Sequence, residues 1–225
     1  MAGVSRLQYT TEIRMIRVMC SGRVDLEFVL RALSNGMDGV FIGGCRLNEC
    51  NYITHGNYDA LSMVLLCKKI MEHIGLNPER LRLEFMSSGE GILFTQAVDD
   101  FVKRVKELGP LDQGEGLRLN LEAATKLVPY IKLVEREKLR VPNRSEEAYT
   151  EFYNSAELDR VFSELILDKL AISQITALLR ERPLSTGEIA EALGLNPSQV
   201  SKHIKSSSRQ GLVRYDEGQK CYALA

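Results

Sequence analysis

At 225 residues, with 44% apolar and 26% charged side chains, the chain has the composition of an ordinary globular protein with one large or two modest domains. A formal charge of −1 excludes a surface that is basic all round, as a general nucleic-acid or membrane binder would need. No stretch approaches the roughly 18 apolar residues of a membrane span, and the N-terminus lacks the pattern of an export signal. The five cysteines are therefore read as free thiols or ligands in a reducing cytoplasm.

Residues 12–20, EIRMIRVMC, are rich in Ile, Val and Met and read as a buried strand. A helix fits 24–35, with Phe28, Val29, Leu30, Ala32 and Leu33 near one face and Gly36 as its terminator. Val40 to Ile42 is a short strand stopped by Gly43-Gly44, and a helix follows near 58–74. Residues 81–86 alternate apolar and polar side chains, as a half-exposed strand does. A further helix spans 91–108 and ends at Gly109-Pro110. The order β-α-β-α-β-α requires a parallel sheet, because each crossover returns the next strand in the same direction. With three strands the sheet is small, and a preceding strand is missing from it.

The stretch GPLDQGEGL at 109–117 marks a boundary, and a mixed-charge helix from 117 to 140 is expected to break at Pro129. After a second hinge at 141–147, an apolar-stripe helix runs from Leu165 to Arg182. Ser185 and Glu188 form a capping box for a short helix that buries Ile189, Ala192 and Leu193. Asn196-Pro197 supplies the N-cap and first-turn proline of a third helix, and two strands around Asp216-Glu217-Gly218 close the chain. This is the winged helix-turn-helix plan. The fold class is thus α/β: a small parallel-sheet, three-layer domain (1–110), a helical connector (111–156) and a winged helix-turn-helix domain (157–225).

Three loops follow apolar runs in the first domain: Cys20-Ser21-Gly22, Gly43-Gly44-Cys45 and Ser87-Ser88-Gly89. In a parallel sheet such loops share the carboxyl edge, where open α/β folds hold their ligands. Cys20, Cys45 and Cys50 would meet there. Cysteine also serves as a small core hydrophobe, but the adjoining glycines leave space and favour metal or redox chemistry. Cys67 lies on the apolar stripe of its helix and Cys221 in the wing strand, so both read as packing residues. His55 reads as a loop residue, whereas Arg23 and Arg46 stand where a positive charge would favour a thiolate. The third helix of the winged module turns Ser198, Gln199, Ser201, Lys202, His203 and Lys205 outward. From Lys169 onward, 8 basic residues face 5 acidic ones, a weak basic bias that favours protein docking over DNA reading.

The Cys-Ser-Gly-Arg-Val-Asp phrase at 20–25, the Gly-Gly-Cys-x4-Cys phrase at 43–50 and Glu90-Gly91 fall in the order that resembles the iron–sulfur delta-subunit family of F420-non-reducing (methyl-viologen-reducing) hydrogenases. That resemblance implies a 2Fe–2S protein with Cys20, Cys45 and Cys50 as cluster ligands or cluster-adjacent thiols. It would relay electrons from a hydrogenase, formate dehydrogenase or other anaerobic oxidoreductase to a flavin- and iron–sulfur-containing heterodisulfide-reductase-like subunit. The family carries an upstream Cys-x-x-Cys pair, so the remaining ligands are expected before Met1. The pattern of residues 201–213 resembles arsenic-repressor-like winged helices, with Ser207 standing where that pattern has leucine. The alternative function is a thiol- or metal-sensing transcriptional regulator that binds DNA through the winged helix.

Overall fold

The computed structural model describes residues 7–112 and 114–225. In chain order, the first elements are α1 (Leu26–Ser34), β1 (Val40–Gly44), α2 (Asn57–His73), β2 (Leu81–Phe85) and α3 (Gly91–Leu108). They are followed by α4 (Glu115–Lys138), α5 (Glu146–Tyr153), α6 (Ala156–Val161), α7 (Asp168–Glu181), α8 (Thr186–Leu193), α9 (Pro197–Arg209), β3 (Val213–Asp216) and β4 (Cys221–Leu224). The chain forms two compact units, residues 7–112 with Val141–Tyr153 and residues 114–140 with Asn154–Ala225. The 111–156 stretch read as a connector is therefore divided between them. No helix among the described residues is long and apolar enough to cross a membrane.

In the first unit, β1 and β2 pair in parallel from Val40↔Leu81 to Gly44↔Phe85. The connecting helix α2 is buried nearly all round, with Leu66, Cys67, Ile70 and Met71 at its centre. That burial explains why apolar residues occupy more than one face of its sequence. Helix α5 packs on α2 through Tyr58 against Tyr149 and through a 2.7 Å hydrogen bond between the hydroxyls of Ser62 and Tyr153. At the amino end of the sheet, the buried Arg80 donates to the carbonyl oxygens of Asp38 and Gly109 at 2.8 and 2.9 Å. Backbone acceptors thus satisfy a charge that would otherwise be costly to bury.

The expected strand at 12–20 is not formed. Among the described residues the sheet has two strands, and Ile16 and Met19 are 84% and 86% exposed. The preceding residues run instead along α3. Tyr9 meets Phe94 edge-on at 5.5 Å, the Thr10 N–H donates to Asp99 at 2.9 Å, and Glu12 pairs with Lys106. Polar and aromatic anchors on a helix have displaced strand pairing. In α1, Leu26, Val29, Leu30 and Leu33 form the buried stripe, while Phe28 faces water.

The second unit is built on α4 against α7. Gln174 donates to the Asn120 side chain at 2.7 Å and Ser173 to the Ala123 carbonyl at 3.0 Å. Helix α4 passes through Pro129 without ending. Its buried stripe, Leu121, Ala124, Val128, Ile131 and Val134, continues on both sides of the proline, so packing outweighs a local helix cost of about 3 kcal/mol. Between α6 and α7 the helix persists as a π segment, Phe162–Leu167.

The winged helix is as its punctuation requires. Both the Ser185–Glu188 and Asn196–Gln199 capping boxes are made, and β3 pairs antiparallel with β4. Leu184 joins this wing as a third edge through reciprocal backbone hydrogen bonds with Tyr222 of 3.0 and 2.8 Å. Two expectations are corrected here. Ala190 rather than Ala192 joins Ile189 in the core, and His203 points inward at 7% exposure. Burial lowers the His203 imidazole below its ordinary pKa. Ser207 is fully buried, but its hydroxyl donates to the His203 carbonyl at 2.8 Å, so a serine is tolerated on that face.

Candidate metal centre

The site begins with backbone approach. Cys20 precedes a single 3₁₀ turn, Ser21–Arg23, whose middle residue lies against Gly56 at the start of α2. A methyl group on Gly22 would lie 2.3 Å from the Gly56 carbonyl oxygen, so only glycine permits the contact. A methyl group on Gly56 would in turn lie 2.6 Å from the Cys50 sulfur. These two glycines let the first cysteine loop close onto the second.

The result brings the Cys20 and Cys50 sulfurs to 3.8 Å. Two thiolates bound to one tetrahedral metal with bonds of about 2.3 Å are separated by about 3.8 Å, so this spacing suits a shared metal. The Cys45 sulfur lies within electrostatic reach of both. Among the described residues, no three His, Cys, Asp or Glu side chains are arranged to hold a metal ion as they stand. The donor chemistry nevertheless fits a soft metal or an iron–sulfur group. Three thiols converge on a sheet edge, and a fourth protein ligand would lie beyond them.

The thiols are not equivalent. Burial pushes Cys45 up to about 11, with the neighbouring Cys50 and Cys20 adding to the effect. Cys20 is raised as well, by burial first, against the opposing pull of the Gly22 N–H. Burial would also raise Cys50, but the N–H groups of Tyr52 and Asn57 face its sulfur and its two thiol neighbours donate toward it. Its pKa is lowered in consequence. The first negative charge of the trio therefore rests on Cys50, at the N-terminus of the long helix α2, where the helix dipole favours it.

Sequence reasoning misses Asn57 as a site residue, although an asparagine at the start of the helix that follows the Cys45–Cys50 loop is a usable signal. Its buried amide donates to the carbonyl oxygens of Cys45 and Arg46 at 2.9 and 2.7 Å. It fixes the second loop against the helix carrying the anionic end of the site. Arg46 does not stand free beside the thiols. It pairs with Glu90, whose carboxylate also accepts from the Ser87 N–H at 2.7 Å, so the pair ties the second loop to the third. Together these contacts hold the Glu90 carboxyl below its usual range. Arg23 is exposed, and exposed His55 lies 3.1 Å from Asp59. Cys67 is core, with burial pushing its thiol up to about 12, and Cys221 is buried in the wing.

Residues 1–109 match the family model described as methyl-viologen-reducing hydrogenase, delta subunit. The iron-sulfur subunit of the F420-non-reducing hydrogenase of Archaeoglobus profundus is 44% identical over 110 residues, 49% of this chain and 80% of that protein. The chain belongs to the hydrogenase delta-subunit family. The corresponding vhu iron-sulfur subunit of Methanopyrus kandleri is 43% identical over 111 residues, 83% of its length. A subunit of the ferredoxin/F420H2-dependent CoB-CoM heterodisulfide reductase of Methanosarcina acetivorans is 49% identical over 111 residues, 49% of this chain. There the delta-subunit region is a small part, since the match covers only 14% of that protein's length. All three cysteines of the candidate centre lie within the delta-subunit match. Residues 173–215 match a second model, bacterial regulatory protein, arsR family, over the α7–β3 region of the winged helix.

Proposed function

We propose that this chain is the iron–sulfur electron-transfer subunit of an anaerobic oxidoreductase complex. It relays electrons between a donor oxidoreductase, such as a hydrogenase or formate dehydrogenase, and a flavin-containing heterodisulfide-reductase-like subunit. The observation that carries the reading is the 3.8 Å approach of Cys20 to Cys50 at the carboxyl edge of a parallel strand pair, with Cys45 beside them. Membership of the delta-subunit family supports the same reading, and the complexes to which its relatives belong supply the class of partner.

Cys20, Cys45 and Cys50 would hold the group, with one more ligand from beyond these three. A 2Fe–2S cluster bound there supplies a one-electron store near a protein surface. The chain's own residues fix its position. Cys50 presents the first thiolate, steadied by the Tyr52 and Asn57 N–H groups. Cys20 and Cys45 give up their protons on loading, so binding weakens as pH falls. Gly22 and Gly56 keep side-chain bulk out of the junction. No substrate pocket is required of a relay, and the winged helix serves as a docking module.

The test is direct. The chain is isolated anaerobically from its native cells, and iron and acid-labile sulfide are counted. About two of each per chain are expected, with a paramagnetic signal on reduction. A chain carrying neither iron nor sulfide ends the proposal.

A second reading is favoured by one observation, the arsR-family match together with the exposed Ser198, Gln199, Lys202 and Lys205 of α9. In it the thiols sense oxidation or metal and the winged helix binds DNA. A mobility shift on the DNA upstream of its own gene, altered by oxidation or metal, would select this reading instead.

A further inference from the structure

Among the described residues, the one between the first cysteine and Gly22 carries a buried hydroxyl that the packing around it does not account for. Ser21 is 4% exposed, and among the described residues its hydroxyl oxygen makes no hydrogen bond of ordinary geometry, although it faces the neighbouring Cys20 sulfur. A buried hydroxyl left in this state costs stability, and natural structures tolerate it mainly where an absent ligand or water completes it. Its position is specific. Ser21 follows Cys20 in the chain, and its oxygen lies 2.7 Å from where a methyl group on Gly44 would stand, immediately before Cys45. The orphan hydroxyl therefore sits at the junction of the two cysteine loops, on the strand edge where the sulfurs converge.

We infer that the Ser21 hydroxyl is a hydrogen-bond donor to anionic sulfur of the group held by Cys20, Cys45 and Cys50. The inference rests on the electron-carrier reading above. A hydroxyl has one hydrogen to give, and the sulfur of a reduced iron–sulfur group gains negative charge. The bond is stronger in the reduced state than in the oxidised one. Ser21 thereby raises the reduction potential without being a ligand. It is a positioning and tuning residue, and its neighbour Gly44 is small because the hydroxyl occupies the space.

Ser21→Ala removes the oxygen and adds no bulk. Four readouts are taken on the loaded and unloaded protein. Iron and sulfide content should equal that of the wild type, and the midpoint potential should move to a more negative value. The exchangeable-proton coupling seen at the paramagnetic centre in H2O, and lost in D2O, should be weaker in the variant. In the unloaded protein, the orphan oxygen is a burden, so Ser21→Ala should slow labelling of the buried Cys67 thiol by at least roughly fivefold. An unchanged potential overturns the inference, as does faster opening of the unloaded variant, which would make the hydroxyl a packing group. Loss of iron from the variant also overturns it, in favour of Ser21 as an oxygen ligand. A wild-type chain that carries no iron or sulfide is a different result: it removes the electron-carrier reading on which the inference stands.

Discussion

Replacing Gly22 by alanine tests whether backbone contact between the cysteine loops builds the site. The added methyl would lie 2.3 Å from the Gly56 carbonyl oxygen and 3.0 Å from that of His55. An ordinary carbon–oxygen contact is about 3.3 Å, so the turn must retreat by about 1 Å. Overpacking against backbone of this kind costs about 1–3 kcal/mol, against which alanine recovers about 0.4–1 kcal/mol of chain entropy. Gly43 provides the control. A methyl group there meets only the Phe41 ring, at 3.8 Å, so Gly43→Ala should be neutral or slightly stabilising. Cys67 reports the opening of this unit alone, because its thiol is wholly buried inside α2. With maleimide labelling read by peptide mass, Gly22→Ala should label Cys67 roughly 3- to 30-fold faster than the wild type. Under the iron–sulfur proposal it should also lose iron, since a retreat of about 1 Å opens the Cys20–Cys50 spacing. Equal labelling of Cys67 in the Gly22→Ala and Gly43→Ala proteins would refute the reasoning.

Thiol order gives a second prediction: in the unloaded native protein near pH 8, iodoacetamide should modify Cys50 before Cys45, because one thiol is lowered and the other is raised to about 11. Labelling of Cys45 first would contradict the assigned charge. Removing the α8 cap by Ser185→Ala should destabilise the second unit by about 0.5–2 kcal/mol, measured as a shift of its urea midpoint. The Ser185 N–H and hydroxyl hold Glu188 below its ordinary pKa. Its contribution is therefore complete above the unfolded carboxylate pKa and fades as pH falls through the depressed folded value. The gap between wild type and Ser185→Ala should narrow in acid. Finally, Pro129 is exposed within α4, so Pro129→Ala should stabilise the second unit by up to about 3 kcal/mol, and no change in its melting would show that the helix has adapted to the proline.

Punctuation was the most legible part of the chain. Ser185, Glu188, Asn196 and Pro197 name their helix starts by local chemistry, and the structure makes each cap. The place of Cys45 was legible too, because β1 and the loop after it set it by topology alone. What brings Cys20 to Cys50 was not. The Gly22–Gly56 contact joins residues far apart in sequence, and nothing in either glycine's local setting announces it. The run at 12–20 misled because an apolar stretch states a tendency to be covered, not which surface covers it. Tyr9, Thr10 and Glu12 direct the segment along α3, and Ile16 and Met19 stay in water. Pro129 and His203 were misread for one reason, since both local preferences yielded to burial of the helices that carry them.

The chain's path between its two units has a practical outcome for anyone dissecting it. Tyr149 and Tyr153 complete the covering of α2, yet they arrive only after the chain has left to lay down α4. Cutting after residue 110 would take Tyr149 from Tyr58 and Tyr153 from Ser62, and cutting after residue 153 would strand α4 without α7. The two units are plaited in sequence. Neither can be severed cleanly by a single cleavage.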